Sequence, residues 1–413
     1  MIRLLLIKKI KSSFINRGGG KKMNARKRFK KVINGEIPDR VPVTLFIQDQ
    51  GHFINQVYPE VDPWDYLTLQ KKVVEFQKQL GVDVFVRMLF YEDIPLTHYF
   101  GGLDISQETE NWKVETKEIK SGKTLIKRST INTPDGELTQ DFSINKPREG
   151  TFMYACTKKP IKNPKDLEIV MKYEPGFPIS KKKNMIKSIK EIKNVLGNSG
   201  ILGVWVPGGP FNYISTLVPL DDIYSVFLYD NDFYKRLMNF AIKKITPYTE
   251  IVKEAGPDVI CLGGNVAGGF MGKKIYEEHI LDFEKHYIDI CQNSGIPAMY
   301  HNCGEIMNLV SSYKKLGCKL VEPFSPPPIL GDADLVKAIE IIDGEYAIIG
   351  GVDQVNILKE GTIDQVKKVT KKTIKTGKPG GKFILQSADF LEYGTPIENL
   401  KAYVKTAVEN AWY

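Results

Sequence analysis

Asp258-Val259-Ile260-Cys261-Leu262-Gly263 is a short apolar run closed by a glycine, and it reads as a buried strand. Behind it, across 275–291, apolar residues fall at Tyr276, Ile280, Phe283, Tyr287 and Ile290, the spacing of one helix face. This pair of patterns repeats towards the C-terminus. Residues 297–301 form the next strand, followed by a helix over 305–316. A strand at 319–324 precedes a helix near 333–342. After the strand at 346–350 a helix opens at Thr362-Ile363-Asp364-Gln365, where Thr362 and Gln365 can each satisfy the other's backbone N–H. The last strand is 382–386. Its helix opens at Thr395-Pro396-Ile397-Glu398, with Thr395 as cap, proline in the first turn and Glu398 placed to reach back.

Upstream, 41–47, 83–89 and 201–206 read as three further strands, bringing the βα units to eight. Alternating β and α implies a parallel sheet, and eight units suggest a closed (β/α)8 TIM barrel. An open doubly wound sheet is the alternative. It calls for a glycine-rich phosphate loop after its first strand, and Gln48-Asp49-Gln50-Gly51 is not one. The stretch 96–195 breaks the rhythm. Residues 112–142 read as antiparallel strands with turns at Ser121-Gly122 and Pro134-Asp135-Gly136, so we expect an antiparallel insertion after the second strand, inside a single domain 23–413.

The chain of 413 residues is 42% hydrophobic and 26% charged, enough for a substantial core, and no apolar run reaches the 18 residues of a membrane span. Its net charge of +9 suggests an anionic partner until the charges are placed. Residues 1–22 carry seven Lys/Arg and no acid, so removing them from +9 leaves +2. Neither nucleic acid nor membrane is therefore an expected partner. The tail itself has a basic surface arm as one reading. Arg17-Gly18-Gly19-Gly20-Lys21-Lys22 is also what a purine-rich ribosome-binding site would encode, which makes Met23 the expected natural start and 1–22 a disordered, functionless segment. Five cysteines at irregular spacing, with no secretion signal, fit a reducing cytoplasm better than a disulfide framework.

In a barrel of this kind the active site lies at the C-terminal ends of the strands. Those ends carry Gln48, Asp49, Gln50 and His52; Tyr91, Glu92 and Asp93; Trp205 and the Pro207-Gly208-Gly209-Pro210 turn; Asn265; His301 and Cys303; Glu322; Asp353 and Gln354; and Asp389. The sharpest feature is His301-Asn302-Cys303-Gly304. Side chains alternate along a strand, so His301 and Cys303 point the same way and offer half of a tetrahedral zinc site. A catalytic zinc keeps three protein ligands and one open position. Cys318 precedes its strand, Cys291 lies on a helix and Cys261 is mid-strand. Asp389, at the end of the eighth strand, is the expected third ligand; Glu322 competes with it, or orients His301. Tyr91, Asp93 and Glu322 are the candidates for catalytic proton handling, and Asn265, Asp353 and Gln354 for cofactor contacts. For Tyr91, Asp93, Asn265 and Gln354 a structural role, such as loop capping, competes.

The set also resembles a known family. Ile37-Pro38-Asp39-Arg40-Val41-Pro42-Val43, His301-Asn302-Cys303-Gly304, Glu322-Pro323 followed by Pro326-Pro327-Pro328, Ile349-Gly350-Gly351-Val352-Asp353, and the ending from Phe383-Ile384-Leu385 to Thr395-Pro396-Ile397-Glu398-Asn399 are similar to the uroporphyrinogen decarboxylase superfamily. That resemblance spans about 23–411 and implies a (β/α)8 barrel. The superfamily holds decarboxylases and zinc methyltransferases, among them methylcobamide:coenzyme M methyltransferases. The decarboxylases carry an arginine-bearing segment after the first strand that grips substrate carboxylates; here Gln48-Asp49-Gln50-Gly51-His52 has none, although Phe90-Tyr91-Glu92-Asp93-Ile94 resembles another of their segments. The methyltransferases bind zinc through an HxC pair and a distant cysteine, and that cysteine's place falls on Asp389.

The resemblance thus implies a zinc-dependent methyltransferase that moves a methyl group between the cobalamin of a corrinoid protein and a small thiol, methoxyl or methylamine-type substrate. A carboxylate in place of a thiolate makes zinc a stronger Lewis acid, and both directions of transfer stay open. The alternatives are a metal-free decarboxylase of a tetrapyrrole carboxylate and a non-catalytic corrinoid-binding barrel.

Overall fold

The computed structural model describes residues 22–47, 53–89, 102–148, 151–176, 179–264, 268–328 and 331–413; the segment 1–21, with the expectations attached to it, lies outside them. Seven parallel strands form one curled sheet. In order they are β1 (Val84–Met88), β6 (Gly200–Trp205), β7 (Val259–Gly263), β8 (Ala298–His301), β9 (Leu320–Phe324), β10 (Ala347–Val352) and β11 (Phe383–Ser387). Each strand from β6 onwards pairs with its predecessor, as expected of sequential βα units. The strands are buried on both faces because one face lines the interior and the other meets helices. Along β1, Val84 and Val86 join the outer core, while Phe85 joins an interior cluster with Ile201, Cys261, Met299, Leu320 and Ile384.

The expected first strand, 41–47, is not a regular strand. Pro42 has no N–H to donate, and pairing reduces to one parallel bridge between Val43 and Leu385. The segment still spans the gap between the sheet's edges. On one side Thr44 N donates to Leu385 O (2.9 Å) and Leu385 N to Pro42 O (3.0 Å); on the other, Asp83 N donates to Val43 O (2.8 Å). The result is a TIM-barrel-like ring of seven strands and one extended, buried segment.

The opposite end of the ring is plugged. The helix Ala25–Ile33 sends Phe29 and Val32 into the interior cluster. Its Arg28 reaches Asp39 (2.7 Å) and Asp83 (2.5 Å), and Arg40 reaches the other Asp83 oxygen (2.7 Å). Asp83 immediately precedes β1, so the Asp39-Arg40 motif belongs to the N-terminal face, where it closes the barrel.

The insertion is a four-stranded antiparallel sheet, β2 (Lys113–Ser121), β3 (Thr124–Thr133), β4 (Gly136–Arg148) and β5 (Thr151–Lys158), with its turns where the sequence places them and one more strand than expected. Among the helices, Thr362 and Gln365 form the reciprocal cap. The one expected at Thr395 does not form. Its hydroxyl closes a turn on Glu392 O (2.8 Å), and Glu398 pairs with Lys401 (2.8 Å). The expected helix over 305–316 shortens to Val310–Tyr313 and a 3-10 turn, because Asp332 captures the N–H groups of Ile306 and Met307 (2.7 and 3.1 Å). No helix among the described residues is long and apolar enough to cross a membrane.

Candidate metal centre

His301 is the last residue of β8, in register with Gly263 of β7 and Glu322 of β9. A Cβ at position 263 would lie 2.7 Å from the His301 carbonyl oxygen, so glycine lets the two strands meet here. Asn302 turns away. Its amide side chain donates to the Tyr313 hydroxyl (2.5 Å) and its backbone N–H to Glu322 O (2.8 Å). That leaves His301 and Cys303 together, although the strand ends at His301 and Cys303 lies in the loop that follows. Asp389 arrives from two residues beyond β11. Its N–H donates to Gln354 Oε1 (3.1 Å), and its Oδ1 accepts from Phe390 N (2.7 Å). One ligand atom from each of His301, Cys303 and Asp389 lies within 4.8 Å of the others. Around a zinc, such atoms sit about 3.3–3.6 Å apart, so the set needs to close by about an ångström. Imidazole nitrogen, thiolate and carboxylate together suit a borderline ion such as zinc.

Below this set lies a polar layer that strand alternation builds inside the barrel. Glu322, fully buried, presents Oε1 to His301 Nδ1 at 3.1 Å, which leaves Nε2 as the nitrogen available to a metal. Glu322 Oε2 accepts from Arg87 Nη2 (2.5 Å), and the same nitrogen donates to Gln386 Oε1 (2.5 Å). The Arg87 guanidinium lies 4.1 Å from the Phe85 ring centre and 4.4 Å from that of Phe46. Aromatic rings also wall His301 itself: Trp205 at 5.5 Å and Phe46 at 6.2 Å, both edge-on, with Phe390 6.3 Å beyond Phe46.

The electrostatics follow from this crowding. Burial pulls the His301 pKa down, but hydrogen bonds with Cys303 and Glu322 outweigh it and push it up to about 10 without a metal. Burial acts to raise Glu322, yet the Arg87 charge and the His301 contact hold it below the usual carboxylate range. Asp389 is raised by burial, with His301 opposing. A divalent cation would offset the cost of burying the Asp389 carboxylate.

The other sequence candidates divide. Cys261, Cys291 and Cys318 are buried away from the triad, and burial pushes all three thiols up, Cys318 to about 12. Asp353 uses both carboxylate oxygens on the next turn, accepting from Val355 N (2.7 Å), Asn356 N (2.8 Å) and the Asn356 amide (2.7 Å). Its contacts are those of a loop cap. Gln354 supports Asp389. Tyr91, Asp93 and Asn265, together with 48–52, lie outside the described residues. Sequence reasoning missed Arg87 and Gln386. The available signal was a charged residue within the apolar run Val84-Phe85-Val86-Arg87-Met88.

A family model described as uroporphyrinogen decarboxylase (URO-D) matches residues 153–410. The methylated-thiol–coenzyme M methyltransferase of Methanosarcina mazei is 24% identical over 166 residues, 40% of this chain and 41% of that one. Methylcobamide:CoM methyltransferase MtbA of Methanosarcina acetivorans is 22% identical over 277 residues, 66% of this chain and 69% of that one. The chain thus spans less than half the length of the first of these relatives. A solved structure of a methyltransferase from Methanosarcina mazei superposes with a TM-score of 0.66 at 18% identity, covering 94% of this chain and 99% of that one. That likeness is one of fold.

Proposed function

The chain belongs to the uroporphyrinogen decarboxylase (URO-D) family, and from that premise we propose that it is a zinc-dependent methyltransferase working with a corrinoid protein and a small thiol, methoxyl or methylamine-type substrate. The observation that carries the reading is the convergence of His301, Cys303 and Asp389 at the C-terminal end of the barrel, in a chain whose relatives include methylcobamide:CoM methyltransferases. These three residues would hold the zinc. Bound there, zinc supplies Lewis acidity, which favours a substrate thiol as thiolate or polarises the bond between a methyl group and its oxygen or nitrogen.

The remaining work falls to the chain. Glu322 fixes the tautomer and orientation of His301 through Nδ1. Trp205 and Phe46, with Phe390 packed behind Phe46, shield the imidazole from water. Gln354 holds the backbone of Asp389. The corrinoid partner delivers or receives the methyl group at the mouth.

Elemental analysis of the purified chain beside His301→Ala and Cys303→Ser tests the site. About one zinc per chain, lost in both variants, is expected. The activity test mixes the zinc-loaded chain with methylcobalamin and a panel of thiols and follows the visible spectrum as the cobalt loses its methyl group, with the opposite direction run from methyl ethers and methylamines to cob(I)alamin, the alcohol or amine leaving with a proton. A chain that binds no zinc after reconstitution, and instead releases carbon dioxide from a tetrapyrrole carboxylate, would overturn the proposal in favour of the decarboxylase reading.

A further inference from the structure

We propose that Arg87 is a positioning residue of the metal centre. It pins the Glu322 carboxylate in the one orientation that lets its other oxygen hold His301. This rests on the zinc reading above and extends it one contact deeper into the barrel.

The Arg87 side chain is 1% exposed and that of Glu322 is fully buried. A buried ion pair is poor value as a stabiliser, because the cost of desolvation rivals the attraction, and apolar residues of equal volume would fill a barrel interior as well. Its geometry points elsewhere. The two Glu322 oxygens serve different partners: Oε2 takes Arg87 Nη2 at 2.5 Å and Gln386 Nε2 at 3.4 Å, while Oε1 faces His301 Nδ1 at 3.1 Å. Held on one oxygen, the carboxylate cannot rotate its other oxygen away from the imidazole. The four side chains come from β1, β8, β9 and β11, so rigid strands fix every member of the relay.

Arg87 is itself clamped. Phe46 and Phe85 lie against its guanidinium, and Gln386 Oε1 shares its Nη2 proton donors at 2.5 Å. Both polar contacts run through Nη2. Nε and Nη1 have no acceptor among the described residues. A guanidinium placed for its own hydrogen bonds would use its fork; this one is aimed at a single point, the Glu322–Gln386 pair.

The test measures zinc affinity by competition with a chromophoric chelator, and the visible spectrum of the cobalt(II)-loaded chain. It compares the native chain with Arg87→Met, Arg87→Lys, Glu322→Gln and the double variant Arg87→Met/Glu322→Gln, with circular dichroism and the thermal midpoint as controls of folding. Arg87→Met should weaken zinc binding about 10- to 100-fold and shift the cobalt bands as His301 loses its orientation. Arg87→Lys, which keeps a point charge, should recover part of the loss. The double variant should bind no more weakly than Glu322→Gln alone, since Arg87 acts through Glu322.

Unchanged affinity and cobalt bands in Arg87→Met, with only a lower midpoint, would make Arg87 a packing residue and overturn the proposal. Losses that simply add in the double variant would overturn it too. If Arg87→Met fails to fold, Arg87→Lys decides: weakened binding with shifted bands supports the relay, and native binding and bands sink it. A native chain that takes up neither metal overturns this inference together with the zinc reading, whereas native binding shared equally by all variants overturns this inference alone.

Discussion

Asp389 is the residue at which the proposed chemistry is most exposed to test. A carboxylate oxygen is a harder donor than a thiolate and leaves zinc the stronger Lewis acid. Asp389→Cys should retain about one zinc per chain, while Asp389→Ala should lose most of it, both read by elemental analysis. Undiminished zinc in Asp389→Ala would remove this residue from the ligand set. The triad was legible in the sequence because its members sit at strand ends, where alternation and barrel topology say which way side chains point. The layer beneath it was not. Arg87 meets Glu322 across 235 residues and Gln386 across 299, and no local pattern announces which strand faces share an interior. Asp353 shows the converse limit: a polar residue in the right place, occupied by its own turn.

Among the elements, the helix Leu281–Gln292 carries an unusual group. Glu284 is fully buried, accepts from Phe211 N at 3.1 Å, and sits against Gly209, where a Cβ would fall 2.1 Å from its Oε2. It thereby ties the first turn of the helix Pro210–Leu217, which follows β6, to the helix Leu281–Gln292. Burial pushes its pKa up to about 8 from an ordinary 4.5, with the Phe211 N–H opposing. Between those values the folded chain keeps the proton and the unfolded chain releases it. Stability should therefore fall as pH rises from about 4.5 to 8, by on the order of a few kcal/mol. Glu284→Gln should flatten this dependence, with a higher thermal midpoint than the native chain at pH 8; an identical pH profile in the variant would exclude Glu284 as its source. Element boundaries were most legible from residue 258 onwards, where apolar runs stand alone between helices. Legibility failed where tertiary bonds intervened: at Pro42, at the Asp332 contacts that shorten one helix, and at Thr395, whose hydroxyl serves the turn before the helix.

For the whole molecule, the two ends of the barrel carry separate duties. Asp83 anchors Arg28 and Arg40 at the closed end. Asp83→Asn would leave two buried guanidinium groups short of charge, at a cost of about 3–5 kcal/mol and a thermal midpoint roughly 3–6 °C lower by calorimetry. Zinc per chain should not change, because the proposed ligands His301, Cys303 and Asp389 lie at the opposite end; a parallel loss of zinc would show that the ends are coupled. The seam beside this clasp has a consequence for synthesis. Phe46 N donates to Ser387 Oγ at 3.0 Å, across 341 residues. A ribosome adding about 5–20 residues per second needs roughly 20–70 seconds to cover that interval. Throughout it the first strand-like segment waits without its neighbour, and His301 and Cys303 emerge before Asp389 exists. Nascent chains arrested short of Leu385 should stay sensitive to protease, so ring closure and completion of the proposed ligand set become late, nearly simultaneous events in the life of each molecule.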